Sequence, residues 1–204
     1  MRILYFLEDR AQEGFIKALV QRIAEEEAIP IDMLDHDIRS SRYGSPRVIR
    51  QLKNFLRDTI KTVHSEVDLL VVAVDGNCKG HADRIKQLEK LIKPTHPFKN
   101  KAVYAVPDPH IERWYLTDQK AFRDAVGLKK APDLVPYKCK KAYYKQIVNQ
   151  ALKQSNVTSL LGAAEYAEKI VDNIENLDLL ANENAGFKKF REDLRVMFKE
   201  RMKR

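Results

Sequence analysis

Short apolar runs alternate with stretches whose apolar residues recur every three or four positions, and the order reads β-α-β-α-β. Ile3 to Leu7 is an expected strand, followed by an amphipathic helix from Gln12 to Glu27 with Phe15, Ala18, Leu19 and Ile23 on one face. A second strand is expected from Ala28 to Leu34, with Pro30 placing it toward an edge or its own start. Asp35 to Gly44 then reads as a polar loop. Ser45 and Pro46 give a cap residue and a first-turn proline for a helix running to about Thr62 through Val48, Ile49, Leu52, Phe55, Leu56 and Ile60. Leu69 to Val74 is unbroken apolar sequence, the mark of an interior parallel strand.

After it, Gly76 and Gly80 bracket Asn77, Cys78 and Lys79 in a loop, and a helix is expected from His81 to Ile92. Lys101 to Val106 is a fourth strand. Asp108 is the expected cap, and Pro109 the opening residue, of a helix over His110 to Thr117 that turns Ile111, Trp114 and Tyr115 inward. Asp118 caps the next helix, Gln119 to Val126. Beyond Gly127 come a proline-bearing linker, a lysine-rich helix from Lys138 to Leu152, and a helix from about Gly162 to Ile174. A short turn holds Leu177, Leu179 and Leu180. A final helix carries Phe187, Phe190, Leu194, Met197 and Phe198, and its basic end, Arg195 to Arg204, is expected to fray. The expected class is α/β: a Rossmann-like, mostly parallel sheet flanked by helices over residues 1–126, with a basic helical extension, 127–204, packed on it.

Charge adds to this picture. The chain of 204 residues carries a formal +8, a balance that favours anionic ligands. From Lys129 to Lys153 there are seven lysines and one aspartate, net +6, with Tyr143 and Tyr144 among them. Such a run usually forms a solvated face, yet lysines beside aromatics also hold phosphates and stack bases. No apolar stretch is long enough for a membrane span and no signal peptide is recognisable, so the default setting is cytoplasmic, with no membrane partner. Cys78 and Cys139 form no C-x-x-C pair, which leaves a bridge between them open. The five histidines are too scattered for a zinc motif.

Glu8 and Asp75 each follow a strand. Carboxylates at the ends of neighbouring parallel strands are the material of oxygen-rich Mg²⁺ sites, and a metal held there would orient a phosphate and activate water. Glu13, one turn into its helix, equally suits the helix dipole.

Four segments resemble one family. Leu7-Glu8-Asp9-Arg10-Ala11-Gln12-Glu13-Gly14-Phe15 is similar to the LxEGxTExxF start of small Toprim-like proteins of the DUF4276 kind, with Asp9 in place of the glycine. Val71 to Asn77 resembles the Toprim strand ending in DxD, Asn77 standing at the second aspartate. Ile111 to Asp118 resembles the IExWLLAD segment through Glu112, Trp114 and Asp118. Ile174 to Leu194, with Gly186-Phe187 ahead of Phe190, resembles the helical tail. The resemblance implies a Toprim domain in which Glu8 and Asp75, helped by Asn77, are the metal-binding and acid/base positions, with Mg²⁺ or Mn²⁺ held by Glu8, Asp75 and Asn77; Glu112, whose helix starts at the same sheet edge, is the third expected catalytic residue. Lys79, Arg84, Lys138, Lys140, Lys141 and Lys145 are the expected phosphate contacts. The expected activity is metal-dependent, nuclease-like hydrolysis of nucleic acid, in defence against mobile DNA. The alternatives are a non-catalytic module that binds nucleic acid or a protein partner, and a small-molecule phosphotransferase or phosphatase.

Overall fold

The computed structural model describes residues 1–30, 35–40, 48–62, 67–133, 136–140 and 142–202. Four strands, β1 (Arg2–Leu7), β2 (Asp35–Ser40), β3 (Leu69–Ala73) and β4 (Ala102–Ala105), form a parallel sheet in the order β2-β1-β3-β4. Alternation along the strands sorts their side chains. Ile3, Tyr5, Leu7, Leu69, Val71 and Ala73 face one apolar core with α1 (Arg10–Glu26), while Leu4, Phe6, Leu70 and Val72 face another with α2 (Val48–Thr62) and α3 (His81–Glu89). The chain steps from β1 outward to β2, then reverses to β3 and β4. Right-handed crossovers therefore place α1 on one face and α2 and α3 on the other, and the reversal opens a crevice at the carboxyl ends of β1 and β3.

The first core continues through α4 (Ile111–Tyr115), α5 (Gln119–Val126), α6 (Tyr143–Gln154), α7 (Ala167–Asn173), α8 (Leu177–Glu183) and α9 (Ala185–Met202). Trp114 meets Phe187 of α9 edge-on at 5.4 Å, and Phe15 lies 4.7 Å from Tyr115. Each such buried side chain contributes about 1.5–3 kcal/mol. α9 also closes over the end of β4, where a Cβ on Gly186 would stand 2.4 Å from the Val106 carbonyl. Only glycine fits that approach. Among the described residues no helix is long and apolar enough to cross a membrane.

Several boundaries differ from expectation. The second strand is Asp35–Ser40, within the stretch read as a loop, because an edge strand paired only with β1 needs no apolar alternation. Residues 31–34, from the expected strand, and Ser45 and Pro46 lie outside the described residues. Asp108 is not a cap: α4 begins at Ile111 with His110 in the cap position. Asp118 does cap α5, accepting from the Ala121 amide at 2.9 Å. α6 starts at Tyr143, since Ala142 has φ +57°, so Lys138 and Lys140 sit in an irregular segment and not on a helix. α9 stays helical to Met202, held by ion pairs where a frayed end was expected.

Candidate functional site

The register that sets Leu7 beside Ala73 brings Glu8 and Asp75 together at the crevice. Both are buried. The Glu8 amide donates to the Ala73 carbonyl at 3.0 Å and to Gln12 Oε1 at 3.1 Å. Glu8 Oε2 accepts from the Asp75 amide at 2.8 Å. Gln12 Nε2 donates to Asp75 Oδ1 at 2.9 Å, and His110 Nδ1 lies 3.1 Å from Asp75 Oδ2. Gln12 is placed by its own helix start: Asp9 caps α1 by accepting from the Gln12 amide, and the Gln12 side chain reaches back across the turn.

Burial pushes the Asp75 carboxyl up to about 7, with Glu8 and Glu112 adding to the rise and His110 opposing it. The hydrogen bond to Asp75 raises the His110 pKa in turn.

These contacts overturn the metal-dependent nuclease expectation. Among the described residues, no three His, Cys, Asp or Glu side chains form a group that could hold a metal ion. The reason is visible atom by atom. Glu8 turns Oε2 to a backbone amide, Asp75 is engaged by Gln12 and His110, and Asn77 donates its Nδ2 to the Asp75 carbonyl at 3.2 Å. The Mg²⁺ or Mn²⁺ cofactor, the ligand set Glu8, Asp75 and Asn77, and the hydrolase reading of Glu8, Asp75 and Glu112 are corrected accordingly.

The expected phosphate contacts divide. Arg84 is only 3 % exposed, with Nε on the Asp75 carbonyl at 3.0 Å and Nη1 on Gln87 at 2.9 Å, so it braces the loop and cannot grip a phosphate. Lys145 places Nζ 3.5 Å from Glu112 Oε1. Burial works against its charge, but Glu112, Asp9 and Asp75 raise its pKa above the usual lysine value. Lys79, Lys138 and Lys140 are exposed, and Lys141 lies outside the described residues. A disulfide between Cys78 and Cys139, Cα to Cα 5.5 Å, ties the loop bearing Lys79 to the segment bearing Lys138 and Lys140. Asp108 braces the same junction, accepting from the Cys78 amide at 3.0 Å and the Tyr137 hydroxyl at 2.9 Å. Gly76 is required beneath it, because a Cβ there would stand 2.4 Å from Asp108 Oδ1.

Beside this network opens a cavity of about 280 Å³, lined by Asp9, Arg10, Glu112, Lys145, Asn149 and Gly162 among others. Gln12, His110 and the Asp108 brace were missed from sequence. Gln12 carried a legible signal, the capping-box spacing Asp9-x-x-Gln12. His110 carried only its place just past the fourth strand. Compared with known protein families, curated proteins and solved structures, the chain matches none, and the Toprim resemblance gains no support from them.

Proposed function

We propose that this chain is a non-catalytic nucleic-acid-binding module on a Toprim-like sheet, gripping the phosphate backbone without reading sequence. The observation that carries the reading is the Cys78–Cys139 junction, which gathers exposed Lys79, Lys138 and Lys140 beside Tyr137, itself 51 % exposed. Among the described residues none of the three lysines has a carboxylate partner, so their charge is available to phosphates. Tyr137, with Arg113 4.9 Å from its ring centroid, adds an aromatic surface of the kind on which bases stack. The formal charge of +8 favours the same partner over an acidic-patch-free protein surface. Disulfides are reduced in the cytoplasm, so the cytoplasmic setting expected from sequence would leave two thiols and a looser surface.

The test is binding of labelled single-stranded and duplex oligonucleotides across a salt series, by fluorescence anisotropy. Three phosphate contacts give log-log salt slopes of about −2 for single strands and about −3 for duplex. The variant Lys79→Glu/Lys138→Glu/Lys140→Glu should lose at least tenfold in affinity and flatten the slope. Absent binding at low salt, or unchanged affinity in that variant, refutes the reading.

A further inference from the structure

We propose that the cavity beside the Glu8–Asp75 network binds one nucleotide, its phosphate near Arg10, Lys145 and the start of α1 and its base N–H groups on Glu112. This deepens the nucleic-acid reading and rests on it for its choice of ligand class, but it concerns a different surface. Glu112 is the central observation. The residue is 4 % exposed and lines the cavity, and its Oε2 is buried without a hydrogen-bond partner among the described residues. Leaving such an oxygen unsatisfied carries a desolvation cost, which a donor from a ligand would recover.

The other walls choose the ligand. Arg10 is exposed at the first position of a helix of 17 residues, whose amino end favours an anion. Lys145 also lines the cavity, with Nζ 3.5 Å from Glu112 Oε1. Asp9 also lines the space, but Oδ1 of its carboxylate is committed to the Gln12 amide. Asn149 offers both a donor and an acceptor. A ligand must therefore bring an anion and N–H donors together. Inorganic phosphate supplies only the first. Nucleoside monophosphates supply both, since exocyclic amino groups and the guanine imino group donate well to a carboxylate. At about 280 Å³ the space lies just below the roughly 300 Å³ lower end of small-ligand pockets, which sizes the occupant at one nucleotide and not a strand.

Calorimetric titration of the full chain with the four nucleoside 5′-monophosphates, inorganic phosphate and glycine tests this. At least one monophosphate should bind with a Kd below about 1 mM. Glu112→Gln should weaken it at least tenfold. Asn149→Trp, on an exposed position of α6, should abolish it by filling the space even if Glu112→Gln fails to fold, while Lys53→Glu on the far helix α2 should change nothing. Equal binding of inorganic phosphate, tighter binding of glycine, no binding of any monophosphate, or indifference to Asn149→Trp each overturns the proposal. Oligonucleotide binding without mononucleotide binding removes the cavity and spares the lysine surface. Mononucleotide binding without oligonucleotide binding removes the surface and spares the cavity.

Discussion

Two stretches of this protein, α9 and residues 129–145, carry six cations each and behave as opposites. Along α9 four of the six cations are spent on the fold. Arg191 pairs with Glu26 at 2.8 Å and Asp178 at 2.6 Å, Arg195 with Glu26 at 3.0 Å, Lys199 with Glu27 at 3.1 Å, and Arg201 with Asp68 at 3.3 Å. Glu26 and Glu27 stand at the end of α1, so these pairs fasten the last helix to the first. Around residues 129–145 the balance differs. Lys79, Lys129, Lys138 and Lys140 have no carboxylate partner among the described residues, Lys130 reaches only exposed Asp133, and Lys145 alone turns to a buried acid, Glu112. A count of cations, six in each, does not separate the two stretches; what each cation faces does.

The stretches also differ in how they are held, and the sharpest way to break the comparison is to cut the one covalent tie. Cys78 and Cys139 are 61 residues apart, and a closure of that length contributes up to about 4 kcal/mol. Cys78→Ala/Cys139→Ala should lower the unfolding free energy by that order and weaken oligonucleotide binding, because Lys138 and Lys140 lose their placement beside Lys79. Oligonucleotide affinity unchanged in this variant, or in reductant, would mean that the tie does not organise the surface. The ion pairs of α9 should be indifferent to reductant.

Acidity separates the regions by sign. Asp75 rises from its ordinary value to about 7 through burial, so between about pH 4 and 7 the folded state holds a proton that the unfolded chain has released. That stability is fully present below pH 4 and lost as pH climbs through 7, at up to about 1.4 kcal/mol per pH unit for one proton. His110, raised by its bond to Asp75, works in the same direction. Asp178 is the reverse case: Arg191 lowers its pKa, so its contribution is present above the ordinary aspartate value and fades only in acid. Denaturant midpoints from pH 4 to 8 should therefore fall with rising pH, and Asp75→Asn, which can keep the Gln12 contact, should flatten that fall. A flat wild-type profile would contradict the buried proton.

Legibility followed periodicity. β1, β3 and β4 and the amphipathic helices could be read because their apolar spacing and their burial coincide, and the meeting of Glu8 with Asp75 followed from two strand ends. β2 could not, since Asp35, His36 and Asp37 on an edge strand give no alternation. The metal reading failed for a related reason: sequence displays carboxylates but not the backbone amide, Gln12 and His110 that satisfy them. Arg84 shows the limit most plainly, because nothing local says that a basic residue in a polar helix turns inward to the Asp75 carbonyl.

The smallest expected effects give the cleanest discrimination, through two substitutions that each remove one cation and keep an apolar stem. Arg191 is buried while its partners are partly exposed, which sets the cost of Arg191→Met at about 2 kcal/mol, between the exposed and buried limits for ion pairs. Its oligonucleotide affinity should match wild type, because that charge is already neutralised by Glu26 and Asp178. Lys140→Met should do the converse, moving stability by less than about 0.5 kcal/mol and reducing the salt slope of oligonucleotide binding by about one contact. Chemical denaturation and anisotropy on the same two preparations decide the matter. If both variants lost stability alone, or both lost affinity alone, the two stretches would not differ in kind, and the pairing of charge seen along α9 would have no bearing on what the lysine surface does.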